Sequence, residues 1–150
     1  MKTNFLVALL AVASTFAACK KDNNNGPQPE DTKLPSGQYR LIESVQYDQS
    51  GKDSASVKFP VSNLSLTFDQ DKKTAAVTGK PEGVQVTGTY NVNPANALTD
   101  AVIKTTKIAA SPNDLLVVGL LEKGETFEAK GGTVTLMAKD KGRLVFSMQK

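Results

Sequence analysis

Val84-Gln85-Val86-Thr87-Gly88-Thr89-Tyr90-Asn91-Val92 sets an apolar or small residue at every second position and a polar one between. That period of two is the signature of a strand with one buried face. The pattern returns on both sides. Leu64, Leu66 and Phe68 alternate with Asn63, Ser65 and Thr67, while Val134, Leu136 and Ala138 precede Leu144, Phe146 and Met148. Turn chemistry separates these runs. Asp69-Gln70-Asp71-Lys72-Lys73 leads into Ala75-Ala76-Val77, and Gly131-Gly132 leads into the penultimate strand. Lys139-Asp140-Lys141-Gly142 joins the last two strands, with glycine where a hairpin requires positive φ. Tyr39, Leu41 and Val45 mark an opening strand, and Glu43 interrupts its apolar face.

One stretch departs from this period. Ser111 is a capping residue, Pro112 suits the first helical position, and Asp114 three residues after the serine completes a capping-box pattern. Leu115, Leu116, Val118, Gly119, Leu120 and Leu121 follow, and Gly124 can end the helix. The run is apolar nearly all round and contains Val117-Val118, so a buried strand competes. Gly119 costs a helix about 1 kcal/mol relative to alanine. The start signal favours the helix. Taken together the chain reads as α+β, mostly β: an antiparallel curled sheet or small barrel with one helix late in the chain.

The N-terminus carries a different message. Lys2 precedes the apolar run Phe5 to Ala13, and small residues lead to Cys19, the only cysteine. This is the layout of a secretory signal, shorter than the roughly 20 residues of a spanning helix. Phe16-Ala17-Ala18-Cys19 resembles a lipobox, with phenylalanine where leucine is usual. The resemblance implies a lipoprotein signal peptide over 1–18, lipidation of Cys19, and attachment by acyl chains that exceeds the two-signal threshold for stable anchoring. Residues 19–35 read as a polar, disordered tether, and 36–150 as a single domain of 115 residues. Lys20, rather than aspartate, follows the cysteine, which resembles outer-membrane lipoproteins. The expected location is therefore beyond the inner membrane, anchored to the outer one.

Composition removes whole classes of function. The charge of +3 falls to +2 once Lys2 is cleaved (17 basic against 15 acidic), too little to imply nucleic acid. Histidine is absent, and with it the Ser-His-Asp triad and the commonest metal ligand. An acylated Cys19 takes away thiol chemistry as well. No catalytic residue, metal ligand or cofactor is assigned.

The remaining candidates have plainer explanations. Asp69 and Asp71 supply too few oxygens for a calcium cage and fit a solvated turn. Glu122, Glu125 and Glu128 pair in sequence with Lys123 and Lys130 as surface charge does. Glu43, if buried, would have a raised pKa and could bind a ligand, although an edge or bulged strand explains it more simply. Lys139, Lys141 and Arg143 could meet anionic glycans or head groups, but also suit a soluble hairpin tip. Asp53-Ser54-Ala55, read as part of a polar loop, resembles an O-glycosylation triplet.

Leu66-Thr67-Phe68, Val77-Thr78-Gly79 and Gly88-Thr89-Tyr90 recur in order with Ile103-Lys104-Thr105-Thr106-Lys107-Ile108-Ala109-Ala110. The helix candidate, Val134-Thr135-Leu136 and Arg143-Leu144-Val145-Phe146 then follow. From Leu64 to Met148 this order resembles the META domain family of secreted and lipid-anchored bacterial proteins, some linked to heat shock. Two departures stand out. The family's Gly-Cys-Asn turn is missing between Gly79 and Gly88, and Ala110 stands where a cysteine is frequent. The resemblance implies a compact envelope domain that maintains the envelope or binds a partner and is not an enzyme. The alternative is a lipocalin-like carrier of a small apolar ligand, since Ser36-Gly37-Gln38-Tyr39-Arg40-Leu41 is similar to the opening strand of those domains. A packed interior separates the two readings, because a carrier needs a pocket of about 300–1,000 Å³.

Overall fold

The computed structural model describes residues 33–150; the expected signal peptide, Cys19 and most of the segment read as a tether, up to Thr32, lie outside the described residues. The strands are β1 (Gln38–Tyr47), β2 (Asp53–Lys58), β3 (Ser65–Asp69), β4 (Thr74–Gly79), β5 (Val86–Asn93), β6 (Ala97–Thr105), β7 (Thr126–Lys130), β8 (Thr133–Ala138) and β9 (Gly142–Met148). A 3₁₀ turn, Pro94–Asn96, joins β5 to β6, and helix α1 (Pro112–Glu122) lies between β6 and β7.

All neighbouring strands are antiparallel. β1 and β3 to β9 follow one another around a ring, and β9 pairs back onto β1. The result is an eight-stranded antiparallel barrel with one helix late in the chain. β2 stands outside the ring. It pairs with Glu43 to Tyr47 of β1, whereas β3 uses Gln38 to Arg40 on the same edge. The segment before Leu64 thus belongs to the same sheet as the rest.

Glu43 is where the alternation of the opening strand is interrupted, while Val45 is buried as the pattern expects. Leu41 faces Phe146 across the barrel wall, but Glu43 faces Val145, so Ile42 is an extra residue in β1. This bulge reverses which side chains point inward. Ser44, opposite Leu144, is fully buried, and Glu43, opposite Val145, reaches the surface, while Val45 stays buried at 3% exposure. A buried carboxylate is avoided by one inserted residue.

Helix α1 forms over the stretch where a strand competed, and both halves of its capping box are made. Ser111 Oγ accepts the Asp114 N–H at 3.0 Å, and Asp114 Oδ2 accepts the Ser111 N–H at 3.3 Å. Val117, Leu120 and Leu121 enter the core with Leu41, Leu64, Leu66, Val77, Val86, Tyr90, Val134, Leu136, Leu144 and Phe146. The packed domain begins ahead of Ser36: Leu34 is 2% exposed. Its N–H donates to Gln70 Oε1 at 3.1 Å, and Gln70 Nε2 donates back to its carbonyl. An apolar side chain held by a two-way amide clasp is part of the core rather than of a tether.

The ring is weakest between β6 and β7. Only Ala97 is paired there, with Thr126, supported by the Leu98 N–H to the Glu125 carbonyl (2.7 Å). α1 packs against β6, β8 and β9 across this opening.

Candidate functional site

The interior is the first place to look for a ligand, because small barrels either fill with side chains or hold one molecule. Here side chains fill it. Leu41, Leu64, Leu66, Val77, Val86, Tyr90, Val117, Leu121, Val134, Leu136, Leu144 and Phe146 are each under 2% exposed. Near the end where Leu34 enters, Phe68 lies 4.8 Å from Phe127 and meets Tyr39 edge-on at 6.5 Å, centroid to centroid. The helix closes the other end. At its C-terminus the Tyr90 hydroxyl donates to the Leu121 carbonyl at 2.6 Å, and burial pushes that phenol's pKa well up.

The helix N-terminus is held by the β4–β5 loop. Asp114, 1% exposed, accepts N–H groups of Glu82 (3.1 Å) and Gly83 (3.3 Å) as well as that of Ser111. Glu82 in turn accepts Ser111 Oγ at 2.6 Å and Asn113 Nδ2 at 2.7 Å. Burial raises the Asp114 carboxyl pKa, but these donors outweigh it and hold the group below its ordinary value. A carboxylate so fully engaged fastens a helix and is not free for proton transfer. Nothing in the sequence marks this link, since Glu82 and Asp114 are 32 residues apart.

The clefts beside the described residues open on the surface. One of about 310 Å³ runs between α1 and the barrel rim, lined by Gln46, Leu115, Leu116, Gly119, Leu120, Lys123 and Lys141. Another of about 430 Å³ is bordered by Tyr47, Glu125, Glu128, Met137, Lys139 and Asp140. It brings together residues of two sequence candidates, the glutamates and the β8–β9 tip, in an open and shallow setting.

The other candidates separate. Asp69 Oδ1 accepts the N–H groups of Lys72 (3.0 Å) and Asp71 (3.1 Å), which holds its carboxyl pKa low and closes the β3–β4 turn. Among the described residues no group of three acidic side chains converges on a point where a metal ion could sit. Glu43 pairs with Lys58 Nζ at 2.7 Å and accepts Ser56 Oγ at 2.5 Å. Its pKa is lowered, by Lys58 first and Ser56 next, in contrast to the raised value of a buried carboxylate. Arg143 is no free tip charge. It grips both oxygens of Asp53 at 2.6 and 2.7 Å, accepts company from the Tyr47 ring 5.6 Å below, and so ties β9 to β2 across β1. Glu122, Glu125 and Glu128 form no salt bridge with Lys123 or Lys130 among the described residues. Asp53-Ser54-Ala55 lies in strand β2 rather than in a loop, with Ser54 Oγ donating to the Gln46 carbonyl at 3.2 Å. Cys19 lies outside the described residues.

No protein-family model matches the chain, and no curated protein matches it. Two solved structures are similar in shape. An NMR structure of a protein from Burkholderia xenovorans is 12% identical, with 99% of each chain covered and a TM-score of 0.50. A crystal structure of a DUF4847 family protein from Bacteroides vulgatus is 13% identical, covering 77% of this chain and 94% of its own, with a TM-score of 0.49. The likeness to the Burkholderia xenovorans protein is one of fold alone.

Proposed function

We propose that the chain is an outer-membrane lipoprotein, held by acyl chains on Cys19, whose META-like barrel binds a protein partner in the envelope and catalyses no reaction. The observation that supports this reading is the filled interior. Helix α1 enters at one end and Leu34 with the aromatic cluster at the other, so the space a cargo would need is taken by side chains. The lipocalin-like carrier is the second reading, favoured by the barrel's shape and by the cleft of about 310 Å³ with leucine walls beside α1. That volume is at the lower end of small-molecule sites, about 300–1,000 Å³.

The anchor and the partner are tested together in intact envelopes. Cys19→Ser is expected to move the protein from the membrane to the soluble fraction and to remove the acyl mass. Cross-linking of the unaltered protein in place is expected to give a covalent adduct with another protein. A Cys19→Ser protein that stays membrane-bound with unchanged mass sinks the anchor; envelopes without any protein adduct sink the partner.

A further inference from the structure

Helix α1 is apolar on the side it turns to solvent as well as on the side it buries. Leu115, Gly119 and Lys123 stand four residues apart and so share one side of the helix. Leu115 is 62% exposed there, and a Cβ on Gly119 would meet nothing within 4 Å, so the outer side carries a leucine beside a notch. Helices apolar all round are covered on every side in stable proteins; this one is covered only where it meets the barrel. The cleft of about 310 Å³ between α1 and the barrel rim runs past the notch, with Leu115, Leu116 and Leu120 as its apolar wall. Its rim is positive. Lys123 at the helix end and Lys141 in the β8–β9 turn both line it, and no carboxylate does. Neither lysine has an ion-pair partner among the described residues. Glu125 and Asp140, from the same two connections, border the other cleft of about 430 Å³ instead.

We propose that this cleft docks a partner protein, which lays one large apolar side chain over Gly119 against Leu115 and Leu120 and sets carboxylates opposite Lys123 and Lys141. The charge of the rim selects an acidic occupant, since opposite charges steer approach, fix orientation and reject basic competitors. The openness of the cleft selects a protein over a free ligand. Small-molecule sites bury about 70–90% of their ligand, which a cleft open along the surface does not do. An apolar side chain on a partner is covered from behind by the partner itself, as the central anchors of interfaces are. This inference rests on the partner-binding reading above and names its surface and the chemistry of its occupant.

The test treats intact envelopes containing the full chain with a water-soluble carbodiimide, which joins an amine to a carboxylate without a spacer, and maps the linked peptides by mass spectrometry. Lys123 or Lys141 is expected to be joined to an aspartate or glutamate of another protein, beside a large apolar residue. Leu115→Glu keeps both lysines and alters an exposed position; it is expected to lower the yield of that adduct about tenfold, as loss of an interface anchor does. Gly119→Leu, which fills the notch from the helix itself, is expected to lower it as well, so the result does not hang on one variant. Protein adducts confined to other lysines overturn the docking site and leave the partner-binding reading standing, as does an adduct at Lys123 or Lys141 that survives both variants. A second copy of this chain as the linked protein overturns it too, and so does a co-purifying small molecule that Gly119→Leu displaces. Absence of any protein adduct, with this reagent and with longer cross-linkers, sinks the partner-binding reading and this inference with it.

Discussion

Gly79 and Asp114 show how much of this fold rests on single residues. At Gly79, with φ of 126°, a Cβ would come within 2.2 Å of the Asn63 carbonyl oxygen. Gly79→Ala is therefore expected to cost more than 1 kcal/mol, roughly, since both backbone strain and a clash oppose it; urea unfolding measures it. Gly142, whose Cβ would meet the Val45 carbonyl oxygen at 2.0 Å, was recognisable as a hairpin glycine, whereas Gly79 was not, because its neighbour is 16 residues away in sequence. Asp114 gives a pH signature. Its pKa is lowered on folding from an ordinary 3.8, so its contribution is complete above that value and is lost as pH falls through the lower folded one. Asp114→Asn is expected to cost about 1–3 kcal/mol at neutral pH and to flatten the loss of stability below pH 4, roughly. Denaturant titrations from pH 7 to pH 3 on both proteins decide it; parallel curves would contradict the assignment.

At the scale of elements, α1 was legible in its first four residues because capping is a local matter: Ser111, Pro112 and Asp114 suffice to start it. Its docking was not, since Tyr90 reaches the Leu121 carbonyl from another strand. Tyr90→Phe is expected to cost about 1 kcal/mol, the net worth of one buried hydrogen bond, read from thermal or urea unfolding. Gly119 predicts the opposite sign. A Cβ there would meet nothing within 4 Å, so Gly119→Ala is expected to stabilise the protein by up to about 1 kcal/mol. The strands that escaped the sequence share a cause. β2 and most of β6 are exposed, and β7 buries only Phe127, so none shows the two-sided contrast that alternation detects. The bulge at Ile42 hid part of β1 in the same way: one extra residue lets Ser44 be buried beside Val45 while Glu43 reaches the surface.

For the whole molecule, the strands could be read one at a time, but the closure of β9 onto β1 joins residues about a hundred positions apart, which no local pattern encodes. Nor does local pattern show that Leu34 belongs to the core. Leu34→Ala is expected to cost about 2–3 kcal/mol, as removal of a buried leucine side chain does, while leaving β-sheet content by circular dichroism unchanged. The central claim is that this barrel is filled by its own side chains and therefore carries no cargo. Native mass spectrometry of the protein released gently from its own envelope tests it most directly. A mass equal to the polypeptide with its covalent modifications, alone or joined to another protein, is the predicted result; a small molecule of reproducible mass bound one to one would contradict it.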